Sequence, residues 1–230
     1  MVPGLMNKKV SCGIPQGSIL GPLLFILYIN DLPNYVSNVN VSMYADDTAI
    51  YYSSNDVNDI VDKMNNDLVN VDKWLAKNKL SLNVDKTNFM LIGTPQKLAQ
   101  VHNYDFNVNI NGTRLQKVDH CKHLGVEIDD NLMWKNQIEQ VRKKVLTGLY
   151  FLRKASNCIP KHHQSTLYKS IIAPHFDYCN VAWGRYNKTL CSKLQVLQNR
   201  AAKIITGISM APVLKLFVTY NGKVLMKNYK

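Results

Sequence analysis

Between Asn55 and Lys79 the apolar residues Ile60, Met64, Leu68, Val71 and Leu75 recur at steps of four, four, three and four, the spacing of one helical face. Asp56, Asp59 and Asp62 fall in the first turns of that helix, where carboxylates favour the positive end of its dipole. After Asp130 the pattern repeats with a different opposite face. Trp134, Ile138, Val141, Val145, Leu149 and Leu152 form the apolar stripe, and Arg142, Lys143, Lys144, Arg153 and Lys154 lie away from it. A second helix is predicted between Pro160 and Pro174. A third is predicted from Lys188 to Thr206, with Leu190, Leu194, Leu197, Ala201 and Ile204 on one face and Lys193, Arg200 and Lys203 elsewhere.

Shorter periods mark the rest of the chain. "VNVSMYADDTAIYY" places β-branched and aromatic residues on both sides of Asp46 and Asp47, which predicts a hairpin with the acidic pair at its tip. "FNVNINGTRLQKV" alternates around Asn111-Gly112, a strong hairpin signal. "SLNVDKTNFMLIG" reads as a strand entered through a turn at Asn83 to Asp85, and "HCKHLGVEID" as one more strand. Upstream, Gly13, Pro15 and Gly17 mark a loop, after which Ser18 can cap a helix reaching about Asn30 with Pro22 in its first turn. No internal repeat is visible, and the residues after Gly207 predict no definite element.

The apolar run from Ser18 to Ile29 is 12 residues long, short of the roughly 20 that cross a bilayer. Lys8 and Lys9 precede it as in a signal peptide, but "NDLPNY" follows where a small-residue cleavage site belongs. The run is therefore expected to be a buried helix, in an intracellular protein of nucleus or cytoplasm that is neither secreted nor in a membrane. Five cysteines, at 12, 121, 158, 179 and 191, form no CxxC pair, which favours reduced thiols over a disulfide scaffold. At 230 residues and 46% hydrophobic content the chain can bury a core.

Charge changes the picture further. The net +12 is unevenly placed: residues 131–230 hold 17 Lys and Arg against 2 Asp and Glu, whereas residues 1–130 hold 11 against 14. A basic helical part of this kind suits an acidic partner such as nucleic acid, the alternative being a plain solvated lysine surface.

Adjacent carboxylates at a hairpin tip suit a hard divalent cation, which takes oxygen ligands. In phosphoryl-transfer sites two such ions about 3.5–4 Å apart can serve the attacking and leaving oxygens. Neighbouring strand residues point to opposite faces, so Asp46 and Asp47 cannot ligate one ion equally. On its own, the pair also fits an ordinary turn. Cys158, His162, His163, His175 and Cys179 match no common zinc spacing. Tyr168, Tyr178 and Trp183 read as helix-packing aromatics, the alternative being one exposed ring stacked on a nucleotide. Neither a Ser/His/Asp hydrolase context nor a GxxxxGK[ST] phosphate loop occurs.

The motifs in combination say more. "GIPQGSILGPLLF", then "YADD" beginning 27 residues after Gly17, then "LSLNVDKTNFMLIG" and "CKHLGVEID" stand in the order found in reverse transcriptases. Over residues 11 to 205 the chain resembles the polymerases of non-LTR retrotransposons of the jockey and RTE type. That resemblance implies an α+β fold: a partial polymerase palm over residues 1–130, with a mixed or antiparallel sheet and helices, then an all-α, basic, thumb-like bundle over 131–206 and a tail over 207–230. It implies that Asp46 and Asp47 are catalytic metal ligands, with Mg²⁺ as cofactor. Tyr44 and Ala45 would lie beside the primer end, and Pro15, Gln16, Gly17 and Ser18 against template and nucleotide. Lys86 falls where the family has a lysine proposed to protonate pyrophosphate, the alternative being an ordinary solvated lysine. His123, Leu124 and Gly125 match the turn that grips the primer. Arg142, Lys143, Lys144, Arg153, Lys154, Lys193, Arg200 and Lys203 would follow the backbone of an RNA template paired with a DNA primer.

One departure from the family pattern matters. Residues 1–12 contain no acidic residue, so the upstream aspartate that bridges both metals in the family is missing from these 230 residues, as are the fingers. Weak Mg²⁺ binding and little or no polymerisation are expected of the chain alone, with dNTP bound only on complementation. Exposed apolar surface and a palm edge open to self-association are expected too. The alternatives are a non-catalytic nucleic-acid binder, relic or co-opted, and a structural module with no nucleic-acid role.

Overall fold

The computed structural model describes residues 17–184 and 188–207. Pro15, Gln16 and the tail from 208 onward lie outside the described residues. The fold is mixed α and β, in two compact units. Of the described residues, one comprises 17–89 with Tyr104–Lys117; the other comprises Met90–Asn103 with 118–184 and 188–207.

In the first unit, helix α1 (Gly21–Ile29) leads through a 3₁₀ turn at Leu32–Tyr35 to a hairpin of β1 (Asn40–Tyr44) and β2 (Asp47–Tyr51). Helix α2 (Val57–Lys77) follows, started by Asp56, whose side chain accepts the Asn58 N–H. Most of its predicted stripe lies in the core of the unit: Leu68 and Val71 are buried with Leu32, Val108 and Ile110, and Met64 and Leu75 pack alongside, while Trp74, outside the stripe, is also buried there. A 3₁₀ turn at Val84–Lys86, strand β3 (Asn88–Phe89), strands β4 (Asn109–Ile110) and β5 (Thr113–Arg114), and β6 (Gln116–Lys117) complete it. The β4–β5 turn is Asn111-Gly112, both with left-handed φ, as that dipeptide predicts.

Helix α3 (Pro95–Gln100) lies in the second unit, which also holds a hairpin of β7 (His120–His123) and β8 (Val126–Asp129). Helices α4 (Lys135–Ala155), α5 (Lys161–Ile171), α6 (Ala173–Asp177), α7 (Asn180–Trp183) and α8 (Lys188–Thr206) follow. All six apolar positions predicted for α4 are buried, with Val145 and Leu152 fully so. They meet Leu194, Leu197 and Ala201 of α8, together with Ile172, Phe176 and Trp183. Each such side chain contributes about 1.5–3 kcal/mol by leaving water, so this apolar contact is the main support of the helical group.

Five expectations need correction. Helix α1 is not buried: Ile19, Leu20, Leu23, Leu24, Ile26, Leu27 and Tyr28 are exposed. The segment is apolar all round, and only its Phe25–Ile29 stripe meets the core, so most of its surface has no cover among the described residues. Ser18 makes no side-chain cap, and Leu20 occupies the capping position. The turn expected at Asn83 to Asp85 is present, with Asn83 accepting the Lys86 N–H and the Thr87 hydroxyl donating back to the Asn83 carbonyl, but the strand entered through it is only the two residues of β3. "HCKHLGVEID", one strand by its pattern, is a hairpin: Leu124 and Gly125 both take left-handed φ and reverse the chain at the turn that the resemblance implied for 123–125. Nor do the strands join into one sheet: among the described residues they form four separate pairs, three antiparallel and β3–β6 parallel.

Candidate active site and nucleic-acid interface

The "YADD" segment closes the β1–β2 hairpin. Tyr44 pairs with Asp47 across the two strands, leaving Ala45 and Asp46 as a two-residue turn. The pleat separates the faces. Val41, Met43 and Ile50 lean on the α2 core, whereas Tyr44 and Asp47 stand on the other side of the ribbon. Asp46 is in the turn itself, and both carboxylates are exposed. The two aspartates thus share one tip, Asp47 as the first residue of β2 and Asp46 in the turn before it. Ala45 has φ of +52°, an unfavourable conformation for a residue with a Cβ.

The root of the hairpin is fixed by a residue that the sequence reading missed. Asp67 on α2 is 1% exposed, and its carboxylate accepts the backbone N–H groups of Ser37, Asn38 and Val39 and the Asn38 amide, at 3.1, 2.6, 2.9 and 3.2 Å. These residues run directly into β1, so Asp67 ties the entrance of the hairpin to the middle of α2. Burial opposes its charge, but the donated N–H bonds outweigh burial and hold the carboxyl below the usual aspartate range. A signal existed: Asp67 sits beside Leu68, three residues after Met64 and four before Val71, on the apolar side of the helix.

Lys86 is exposed at the end of the 3₁₀ turn, and Gly17 and Ser18 precede α1, Gly17 with φ of +85°. His123, Leu124 and Gly125 form the tip of the β7–β8 hairpin in the second unit. That hairpin is joined to α4 by side chains. Asp129 accepts the N–H groups of Met133 and Trp134 at 2.7 and 2.8 Å, and Gln137 accepts the Glu127 N–H at 3.0 Å. The Cys121 thiol of β7 is pushed up by burial and then by Glu127.

Of the basic residues, Lys143, Lys144, Arg153, Lys154, Lys193, Arg200 and Lys203 are exposed. Arg142 is engaged: it donates twice to Glu139 at 2.9 Å, which lowers the glutamate and raises the guanidinium from their ordinary values. A groove of about 620 Å³ runs along α4, α5 and α6 with Lys144, Phe151, Lys154 and His175 among its lining. Burial pushes the His175 imidazole down and Lys144 adds to this, so the ring is neutral at pH 7. Cys121, Cys158, Cys179 and Cys191 are unpaired, and among the described residues no three His, Cys, Asp or Glu side chains gather into a metal site. No helix among the described residues is long and apolar enough to cross a membrane.

Residues 4–128 match the family model described as "Reverse transcriptase (RNA-dependent DNA polymerase)". Over 208 residues the chain is 28% identical to the "Probable RNA-directed DNA polymerase from transposon X-element" of Drosophila melanogaster, covering 87% of this chain and 22% of that protein. It is 28% identical over 215 residues to the "RNA-directed DNA polymerase from mobile element jockey" of Drosophila funebris, covering 89% and 22%. A further likeness is to the "Retrovirus-related Pol polyprotein from type-1 retrotransposable element R1 2" of Nasonia vitripennis, 26% over 180 residues, covering 74% and 43%. The chain therefore spans about a fifth of the length of the first two relatives. No solved structure matches it.

Proposed function

Because the chain belongs to the reverse transcriptase (RNA-dependent DNA polymerase) family, we propose that it supplies the metal-binding hairpin, primer-end turn and basic helices of a non-LTR retrotransposon polymerase. The observation that carries this reading is the β1–β2 tip, where Asp46 and Asp47 stand exposed on a ribbon whose other face is packed on α2. In this proposal residues to about 130 act as part of the palm and 131–206 as the thumb.

Two exposed carboxylates, with no protein cation in ion-pair contact among the described residues, fit a hard divalent cation. Mg²⁺ held by Asp46 and Asp47 would supply charge neutralisation of substrate phosphates. Tyr44 and Ala45 would border the primer 3′ end, Pro15, Gln16, Gly17 and Ser18 the template and dNTP, and Lys86 the pyrophosphate. His123, Leu124 and Gly125 would seat the primer. The exposed lysines and arginines of α4 and α8 would bear on the phosphates of the RNA template and DNA primer.

These 230 residues contain "YADD" but no carboxylate in residues 1–12, so we expect them alone to bind template–primer and to extend it little or not at all. The basic helices support a second reading, a nucleic-acid binder without catalysis. Primer extension on poly(rA)/oligo(dT) with Mg²⁺, beside duplex binding across a salt series, separates the two. Extension abolished by Asp46→Ala with Asp47→Ala supports the polymerase and overturns the expectation of low activity. Salt-sensitive binding without extension supports the second reading. Absence of both overturns the nucleic-acid role.

A further inference from the structure

We propose that Tyr178 is a positioning residue that sets the shape of the Leu124–Gly125 turn, and through it the seating of the primer end. The functional half of the proposal rests on the primer-end reading of that turn. The turn closes β7 and β8 with φ of +45° at Leu124 and +81° at Gly125. Glycine adopts this region freely, whereas a leucine there is held by its surroundings.

The holder comes from 54 residues away in sequence: the Tyr178 hydroxyl donates to the Leu124 carbonyl at 2.5 Å. Its ring also lies over Gly125, 3.6 Å from where a Cβ on that glycine would stand. The other end of Tyr178 is fixed in turn. Its carbonyl accepts the indole N–H of Trp183 at 3.0 Å, and Trp183 is 2% exposed within the core shared with α4. Cys179, the next residue, carries a left-handed φ of +51°, which directs the chain from α6 into α7. The path Trp183–Tyr178–Leu124 thus joins the hairpin tip to the core of its own unit.

Packing alone does not account for this arrangement. Tyr178 is 52% exposed, so its hydroxyl could be satisfied by water at little cost, and burial of the ring is incomplete. What the contact fixes is the direction of one carbonyl and the conformation of a two-residue turn. Leu124 itself remains 36% exposed at the tip, free to meet a ligand. A seat for a reacting strand end has to be held to a fraction of an ångström by residues behind it, and Tyr178 stands in that place. Tyr178, expected from the sequence to be a helix-packing aromatic, instead sets its ring against a hairpin turn and its hydroxyl on the carbonyl of that turn.

The test uses the full chain with a photoreactive benzoylphenylalanine at position 123 and an RNA template annealed to a DNA primer labelled at its 3′ end. Crosslinking to the terminal primer nucleotide is read beside total duplex binding, with Tyr178 or with Tyr178→Phe, which keeps the ring and removes only the hydroxyl. The expected result is crosslinking in the Tyr178 chain that falls about three- to ten-fold in Tyr178→Phe, the equilibrium weight of one hydrogen bond. Total duplex binding and the melting midpoint should change little. Hydrogen exchange of the 124 and 125 amides should also quicken in the variant. Crosslinking that is present and equal in both chains overturns the proposal and leaves the primer-end reading standing. No crosslink from either chain, while the duplex is bound, overturns the primer-end reading and the proposal with it.

Discussion

Asp67 and Ala45 hold the candidate hairpin from opposite ends, and each predicts a measurable effect. Asp67→Ala leaves the N–H groups of Ser37, Asn38 and Val39 without their acceptor. The loss should be about 3 kcal/mol, the upper end for buried donors left unpaired, read as a fall in urea midpoint with little change in slope. The same residue predicts a pH dependence. Its native pKa is lowered, so its contribution is fully present above the ordinary aspartate value of about 3.9 and disappears as pH falls through the lowered native value. Acid titration of stability should show this loss in the parent chain and a shallower one in Asp67→Asn, where no charge is present to neutralise. At the tip, Ala45 sits at φ +52°, which costs a residue with a Cβ roughly 1 kcal/mol that glycine does not incur. Ala45→Gly should therefore raise the melting midpoint; a fall would mean that the alanine methyl makes a contact worth more than the strain.

Helix α4 shows what sequence spacing conveys and what it leaves out. Its stripe, from Trp134 to Leu152, was legible because six apolar residues at helical period admit one face, and the structure buries all six. The α8 stripe was legible for the same reason. The crossing between them and their neighbours was not, because it depends on a position with no side chain. A Cβ at Gly148 would lie 2.7 Å from Ile172 Cγ1 and 3.3 Å from the Ile171 carbonyl, so the backbone of α4 approaches the end of α5 closely there. Gly148→Ala should cost about 1–3 kcal/mol despite the better helix propensity of alanine, a reversal of sign that thermal melting would detect. Hairpins divide in the same way. Asn111-Gly112 announced its turn through residues that accept left-handed φ, whereas the pattern of "HCKHLGVEID" is that of one strand, and its turn was legible only through the family resemblance at 123–125, because leucine seldom takes the left-handed φ that Leu124 adopts. Of the candidate site, the position of Asp46 and Asp47 at a tip was legible from the flanking β-formers. The Asp67 and Asp129 anchors were not, since each joins segments that only the folded chain brings together.

Across the whole molecule two surfaces have opposite character, and they predict opposite responses to salt. The apolar flank of α1 exposes Leu23, Leu24 and Leu27, a patch that favours association through a term that salt strengthens or leaves unchanged. The basic helices respond the other way. Residues 131–230 carry 17 Lys and Arg against 2 Asp and Glu, and Lys143, Lys154, Lys193 and Lys203 are exposed there. If they contact phosphates, affinity for an RNA–DNA duplex must fall linearly in log–log form with salt, because each neutralised phosphate releases condensed counterions. Lys143→Gln with Lys154→Gln should then flatten the slope by about 1.8, at roughly 0.9 per contact, and weaken binding most at low salt. Asp46→Asn should leave that slope within error, since removing one carboxylate from the hairpin tip deletes no phosphate contact. Arg142 is the internal control. Its guanidinium already meets Glu139, so Arg142→Gln frees a carboxylate as it removes a cation and should change the slope less than a lone exposed lysine does. Equal slopes in the parent chain and the double lysine variant would place the phosphate contacts elsewhere than on α4.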